Sequence, residues 1–110
     1  MRYRQQRARI ALGMLLSGLR RQANWVSGQS HAIPLKVDLL EPIRPFESEL
    51  AWLPDCEWRK EYEKLSQSIG PAATGGQVGL QLTTLTNAIP QLDIGSKAYK
   101  ECQEAIDEMS

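Results

Sequence analysis

Residues 1–22 read MRYRQQRARIALGMLLSGLRRQ, and the periodicity of this stretch decides the class of fold. At about 100° per residue, Ala8, Leu12, Leu15, Leu16, Leu19, Ala23 and Val26 fall on one stripe roughly 100° wide. That spacing predicts an amphipathic helix over residues 5–25, with Ser27-Gly28 as its stop. Arg2, Arg9 and Arg20 border the stripe on one side and Arg4 on the other, whereas Arg7 and Arg21 point away. Gly13 weakens the helix by about 1 kcal/mol relative to alanine, which the surrounding helix formers offset.

The charge around this helix is polarised. Before Asp38 there is no acidic residue, and six arginines with Lys36 make the first part +7. From Asp38 onward thirteen acids face six bases, so the remainder is −7 and the chain as a whole is neutral. Such a split marks either a basic arm for an anionic partner or two halves that attract each other, within one chain or between copies. Several readings of the opening helix therefore compete. A secretory signal would need a small-residue cleavage site after the apolar run, where Arg20-Arg21 stands instead; an organellar presequence fits the arginine-rich, acid-free composition better. As a nucleic-acid arm, Arg2, Arg4, Arg7, Arg9, Arg20 and Arg21 would contact phosphates, although no aromatic side chains interleave to stack bases. As a docking element, Leu12, Leu15, Leu16 and Leu19 would bury against a partner surface. This last reading leads.

Residues 28–48 form a proline-punctuated extended connector, because Pro34, Pro42 and Pro45 forbid a long helix. Leu35, Val37 and Leu39 alternate with Lys36 and Asp38 as in a short strand, but no convincing second strand exists to pair with it, so it is either a strap over the helices or an edge that a neighbour completes, the strap being favoured. Residues 49–110 return to helical patterning. A short turn carries Leu50, Trp52 and Leu53. Asp55 caps a helix over 56–68 with Trp58, Tyr62, Leu65 and Ile69 on one stripe. The segment GPAATGG at 70–76 connects to a helix over 77–88 bearing Val78, Leu82, Leu85 and Ile89, which Pro90 ends. Ser96 caps a last helix, 97–109, with Ala98, Tyr99, Cys102, Ala105, Ile106 and Met109 on its stripe. The fold class is thus mainly α, a small helical domain of about four amphipathic helices that bury their apolar sides together. Trp58, Tyr62, Leu65, Leu82, Leu85, Cys102 and Ile106 are assigned to one core.

Chemistry is sparse. His31 is the single histidine, and with only Cys56 and Cys102 as thiols no metal site or nucleophilic triad is assembled. The cysteines match no metal or redox spacing and read as reduced and buried, with one disulfide as the lesser option. GPAATGGQ lacks the Gly-Lys-Ser/Thr ending of a phosphate loop. The acids Glu57, Glu61 and Glu63 lie outside the apolar stripe, so no paired-carboxylate site is indicated. Trp25, Trp52 and Trp58 at helical spacing belong to packing rather than to a ligand pocket. Neither a catalytic residue nor a cofactor, metal or small-molecule substrate is indicated. No apolar run approaches the ~18 residues that span a bilayer, so a soluble chain, in the cytoplasm or in an assembly, is expected.

The closing stretch AIPQLDIGSKAYKECQEAIDEM, with Pro90, Gly95, Ser96, Tyr99, Lys100 and Ile106, resembles the short helical tails of some tailed-phage virion and packaging proteins. The resemblance covers about 30 residues and implies membership of a larger assembly without assigning any functional residue. The sequence therefore points to a non-enzymatic structural or adaptor protein working through helix-mediated contacts with a protein partner or with itself. The alternative is a nucleic-acid-binding protein using its arginine-rich helix.

Overall fold

The molecule is organised along one long helix. A computed structural model of the chain describes residues 2–28, 37–70 and 78–109. Helix α1 is Arg2–Gly28; a 3-10 helix, Arg44–Trp52, follows; then come α2, Glu57–Ser68, α3, Val78–Leu92, and α4, Lys97–Asp107. At 1.5 Å per residue α1 alone is about 40 Å long, which sets the 46 Å long axis of a molecule 24 Å by 19 Å across. Among the described residues there is no strand, and no helix is long and apolar enough to cross a membrane.

The predicted stripe of α1 is its buried face. Ala8, Leu12, Leu15, Leu16, Leu19 and Val26 are buried, joined by Ala11 and Gln22. They meet Leu39, Leu40 and Ile43 of the connector, Trp58, Tyr62 and Leu65 of α2, Leu85 and Leu92 of α3, and Tyr99, Cys102 and Ile106 of α4 in one core. The α1 helix and the residues after 49 are accordingly halves of a single hydrophobic interior.

The connector departs from the extended form expected for 28–48. Residues 29–36, and with them His31, Pro34, Leu35 and Lys36, lie outside the described residues, as do residues 71–77. Beyond Asp38 the chain turns instead of extending: the Glu41 amide donates to the Asp38 carbonyl at 3.0 Å and the Leu40 amide to the Asp38 carboxylate at 2.9 Å. Pro45 then occupies the first turn of the 3-10 helix, where its missing N–H is not needed and its fixed φ suits the helix. The strap survives in Val37–Leu39, and its lone backbone is satisfied in an unexpected way. The Gln81 side-chain amide donates to the Val37 carbonyl at 2.8 Å and accepts from the Leu39 amide at 3.3 Å. One carboxamide thus takes the part of a neighbouring strand.

Other boundaries shift for local reasons. The N-cap of α2 is Cys56 rather than Asp55, and no side chain of its own caps it; the Glu101 carboxylate of α4 accepts from the Glu57 amide at 3.0 Å instead. Pro90 lies inside α3 without ending it. Proline removes one helical bond, and the Asp93 amide still reaches the Ile89 carbonyl at 2.9 Å to close the turn. The buried face of α3 is Gln81, Leu85 and Leu92, so Leu82, assigned to the core, is only partly covered. The Val78 side chain lies outside the described residues. Ser96 caps α4 as expected, accepting from the Tyr99 amide at 3.0 Å.

Helix ends and buried polar groups are closed by side chains from other elements. The Gln5 amide of α1 reaches the carbonyls of Asp107 at 3.0 Å and Met109 at 2.9 Å, capping α4. Trp58 stacks on Tyr62 and donates its indole N–H to the last carbonyl of α3, Leu92, at 2.7 Å. Arg44 ties the connector to the C-terminal end of α2. It donates to Asp38 at 2.8 Å, to Glu47 at 3.1 Å, and to the Ser66 and Ile69 carbonyls at 3.1 and 2.7 Å. A cation at this end also complements the helix dipole. Burial opposes the Arg44 charge, but the hydrogen bond and charge of Asp38, with Glu47, outweigh it and hold the guanidinium above its ordinary value.

Candidate functional site

The residues expected to dock a partner are not available for docking. Leu12, Leu15, Leu16 and Leu19 are at most 5% exposed and covered by the chain's own helices, because α1 lies across the other elements instead of projecting from them. The arginines are likewise partly committed. Arg7 pairs with Glu49, Arg9 with Asp107 at 2.7 Å, and Arg20 donates to Asp93 at 2.7 Å. All three bridges join the basic first part of the sequence to the acidic remainder, so the charge split is in part an intramolecular attraction. Arg7, expected to point into solvent, is half-buried: its Nη2 alone donates to both Glu49 carboxylate oxygens, and the guanidinium lies 4.9 Å over the Trp52 ring, which Tyr3 meets edge-on. Asp93 is held below the usual carboxylate range by the Ile94 amide and by Arg20. Arg2, Arg4 and Arg21 form no salt bridge among the described residues.

A second apolar row, on the far side of α1 from the core, escaped the sequence reading. Ile10, Met14 and Trp25 are 54%, 39% and 45% exposed, and Phe46 of the 3-10 helix is 47% exposed. Tyr3, Ile10, Met14, Ser17, Arg21 and Trp25 follow one another at spacings near multiples of 3.6, the same signal that identified the buried stripe. This outer row is interrupted by Ser17 and Arg21, which is why it reads as background in a sequence scan.

Between this row and the connector runs a trough. Its first part, about 350 Å³, is lined by Gly13, Met14, Gly18, Arg21, Pro42 and Phe46. Its second, about 340 Å³, continues past Trp25, Val37 and Glu41. Arg21, Gln22 and Pro42 line both, so the two parts form one channel beside α1. From Gly13 to Trp25 its length is about 18 Å at the helical rise. At Gly18 the lining is tight: a Cβ there would sit 3.3 Å from Ile43 Cγ1. The walls are mainly hydrocarbon, and Arg21 is the basic group that lines both parts.

The tryptophans do not converge on a pocket. Trp58 is in the core, Trp52 packs with Tyr3 and Arg7, and Trp25 faces solvent rather than the interior. No group of three or more His, Cys, Asp or Glu side chains that could hold a metal occurs among the described residues. Comparison with protein-family models, with curated proteins and with solved structures gives no match to this chain.

Proposed function

We propose that the chain is a non-enzymatic structural or adaptor protein that holds an amphipathic helix of a partner protein in the trough beside α1. The observation that carries this reading is the continuous apolar channel with Arg21 midway along it. Helix-in-groove recognition uses apolar anchors on one face of the bound helix. About 18 Å accommodates some three turns of it. Arg21, in no salt bridge among the described residues, calls for a carboxylate among those anchors. A second copy docking α1 against α1 would instead bring Arg2, Arg4 and Arg21 of both copies together, which like-charge repulsion opposes. The likeness of the closing stretch to helical tails of tailed-phage virion and packaging proteins supports reading the partner as another subunit of a larger assembly.

The test uses a synthetic amphipathic helical peptide with leucines at three- and four-residue spacing and one glutamate among them. Its binding is followed through Trp25 fluorescence and by solution mass. Met14→Asp or Phe46→Asp should weaken binding at least tenfold, about 1.4 kcal/mol, while circular dichroism and the unfolding midpoint hold. An oligonucleotide titrated across a salt series is the opposing arm. Steeply salt-dependent binding that vanishes with Arg2, Arg4 and Arg21 and ignores Met14→Asp would establish the nucleic-acid reading instead. Three of the six arginines are already paired with the chain's own acids, which favours the protein partner.

A further inference from the structure

The two cysteines, 46 positions apart in sequence, meet in the core. Cys56 is the N-cap of α2 and Cys102 lies midway along α4; they are 4% and 0% exposed. Both side chains belong to the one buried core, and the Cys102 side chain and the backbone amides of Arg59 and Trp58 act on the Cys56 thiol. The elements that carry them are pinned immediately alongside by the 3.0 Å bond from the Glu57 amide to Glu101. Nothing in the packing of an apolar core requires a thiol from each of two adjoining helices, and both cysteines are free.

We infer that Cys56 and Cys102 form an oxidisable dithiol, a modification site in which a small neutral peroxide converts the pair to an intramolecular disulfide joining α2 to α4. The roles of the two sulfurs follow from their surroundings. The hydrogen bond from Cys102, then the helix N-terminal amides, hold Cys56 well below the ordinary thiol value against the opposing effect of burial. Cys102, giving that hydrogen bond and more deeply buried, is pushed up. A thiolate at a helix N-terminus is the usual form of a reactive cysteine, and a resolving thiol beside it is the usual form of a redox sensor.

The steps balance with peroxide as the oxidant. The Cys56 thiolate attacks one peroxide oxygen, the O–O bond breaks, and the departing hydroxide takes up a proton to leave as water. Cys56 is then a sulfenic acid. The Cys102 sulfur attacks the Cys56 sulfur, the S–O bond breaks, and the hydroxide released takes the Cys102 proton to form a second water. Two thiols are oxidised and one peroxide is reduced. A surface cleft of about 550 Å³ is lined by Glu57 and Glu101, the chain neighbours of the pair; the sulfurs lie behind its wall, so the oxidant reaches them through local opening. Glu57, Glu61 and Glu101 against the one Lys97 leave the lining of that cleft net acidic, which disfavours anionic disulfides such as oxidised glutathione and favours a neutral oxidant.

The experiment treats the full native chain with hydrogen peroxide at a small molar excess and reads free thiols and intact mass. Two thiols should disappear together, with a mass loss of about two units and no dimer, and dithiothreitol should restore both. Peptide mapping should link residue 56 to residue 102. In Cys102→Ser the reaction should halt at a sulfenic acid on Cys56 that dimedone captures, whereas in Cys56→Ser the remaining thiol should persist. Oxidised glutathione at the same concentration should react more than tenfold more slowly than peroxide. Retention of both thiols in the native wild-type chain, a disulfide formed only between chains, or oxidation only after denaturant is added would overturn the assignment. The wild-type readout decides the matter even where a serine variant folds poorly.

Discussion

Helix α1 carries two apolar rows made of similar residues and put to opposite uses. Ala8, Leu12, Leu15 and Leu19 are fully covered, while Ile10 and Met14, two positions from Leu12, face solvent. Hydrophobicity alone does not separate them. What does is width and continuity: the inner row is broad and unbroken over five turns, whereas the outer one is narrow and punctuated by Ser17 and Arg21. An unbroken stripe is driven into the core because every turn gains area. A punctuated one is left as a surface with a trough beside it.

The sharpest way to break this comparison is at its centre. Leu15→Ala should lower stability by about 2–5 kcal/mol in chemical unfolding, as a cavity in a packed interior does. Leu85→Ala should cost a similar amount, and Leu82→Ala less, since Leu82 is only partly covered. A loss below about 0.5 kcal/mol for Leu15→Ala would mean that the inner row is not core. The arginines test the border between rows. Arg7→Ala strands Glu49, whose side chain is 13% exposed, and should cost about 1–3 kcal/mol. Arg9→Ala breaks a pair whose side chains are 54% and 63% exposed and should cost about 0–1 kcal/mol. Equal losses for the two would show that Arg7 is as solvated as the sequence implied.

Alkali probes the core that the inner row faces. Burial, and then the charge and hydrogen bond of Glu47, push the Tyr62 phenol up from its ordinary value of 10.0. Its contribution is therefore fully present below about pH 10. Above that the unfolded chain ionises while the folded one resists, and stability falls by roughly 1 kcal/mol over the first pH unit. Burial raises Tyr99 in the same direction. Tyr62→Phe should flatten the decline between about pH 10 and 11 in denaturation midpoints, and an unchanged slope would contradict the burial. On the outer side of α1, Gly13 has open space around its missing Cβ. Gly13→Ala should raise stability by about 0.5–1 kcal/mol, and Gly18→Ala by less because of Ile43. Smallest of all, Ile10→Ser should change stability by less than about 0.5 kcal/mol. A larger loss would move Ile10 into the core.

How far the sequence reached follows the same logic. Period and caps were legible where the signal is local: the α1 stripe, the Ser96 cap, and the shared core of Trp58, Tyr62, Leu65, Leu85, Cys102 and Ile106. What stayed hidden depends on contacts between distant residues. Asp55 has the chemistry of an N-cap, yet Glu101 supplies the acceptor at that helix start from 44 positions away. Arg7 lies outside the stripe, yet the 3-10 helix lays Glu49 and Trp52 over it. Leu12, Leu15, Leu16 and Leu19 carried the right burial and the wrong owner, since a stripe cannot say whether its cover comes from the same chain. The trough was invisible because its two walls, α1 and the Pro42–Phe46 segment, are separate in sequence.

A side chain of α3 helps hold one of those walls in place. Among the described residues, Gln81 donates to the backbone of Val37 and accepts from that of Leu39, and Arg44 holds Asp38 between them, so the strap is fastened by side chains rather than zipped along a ladder. Its opening is then a local event, uncoupled from global melting, and deuterium should enter the Leu39 amide faster than the helical amides of α1 beneath it. Gln81→Glu, which keeps the acceptor and forfeits the donor, should speed that uptake further. Because Val37 also walls the trough, the breadth of the channel is governed from α3, none of whose residues lines it.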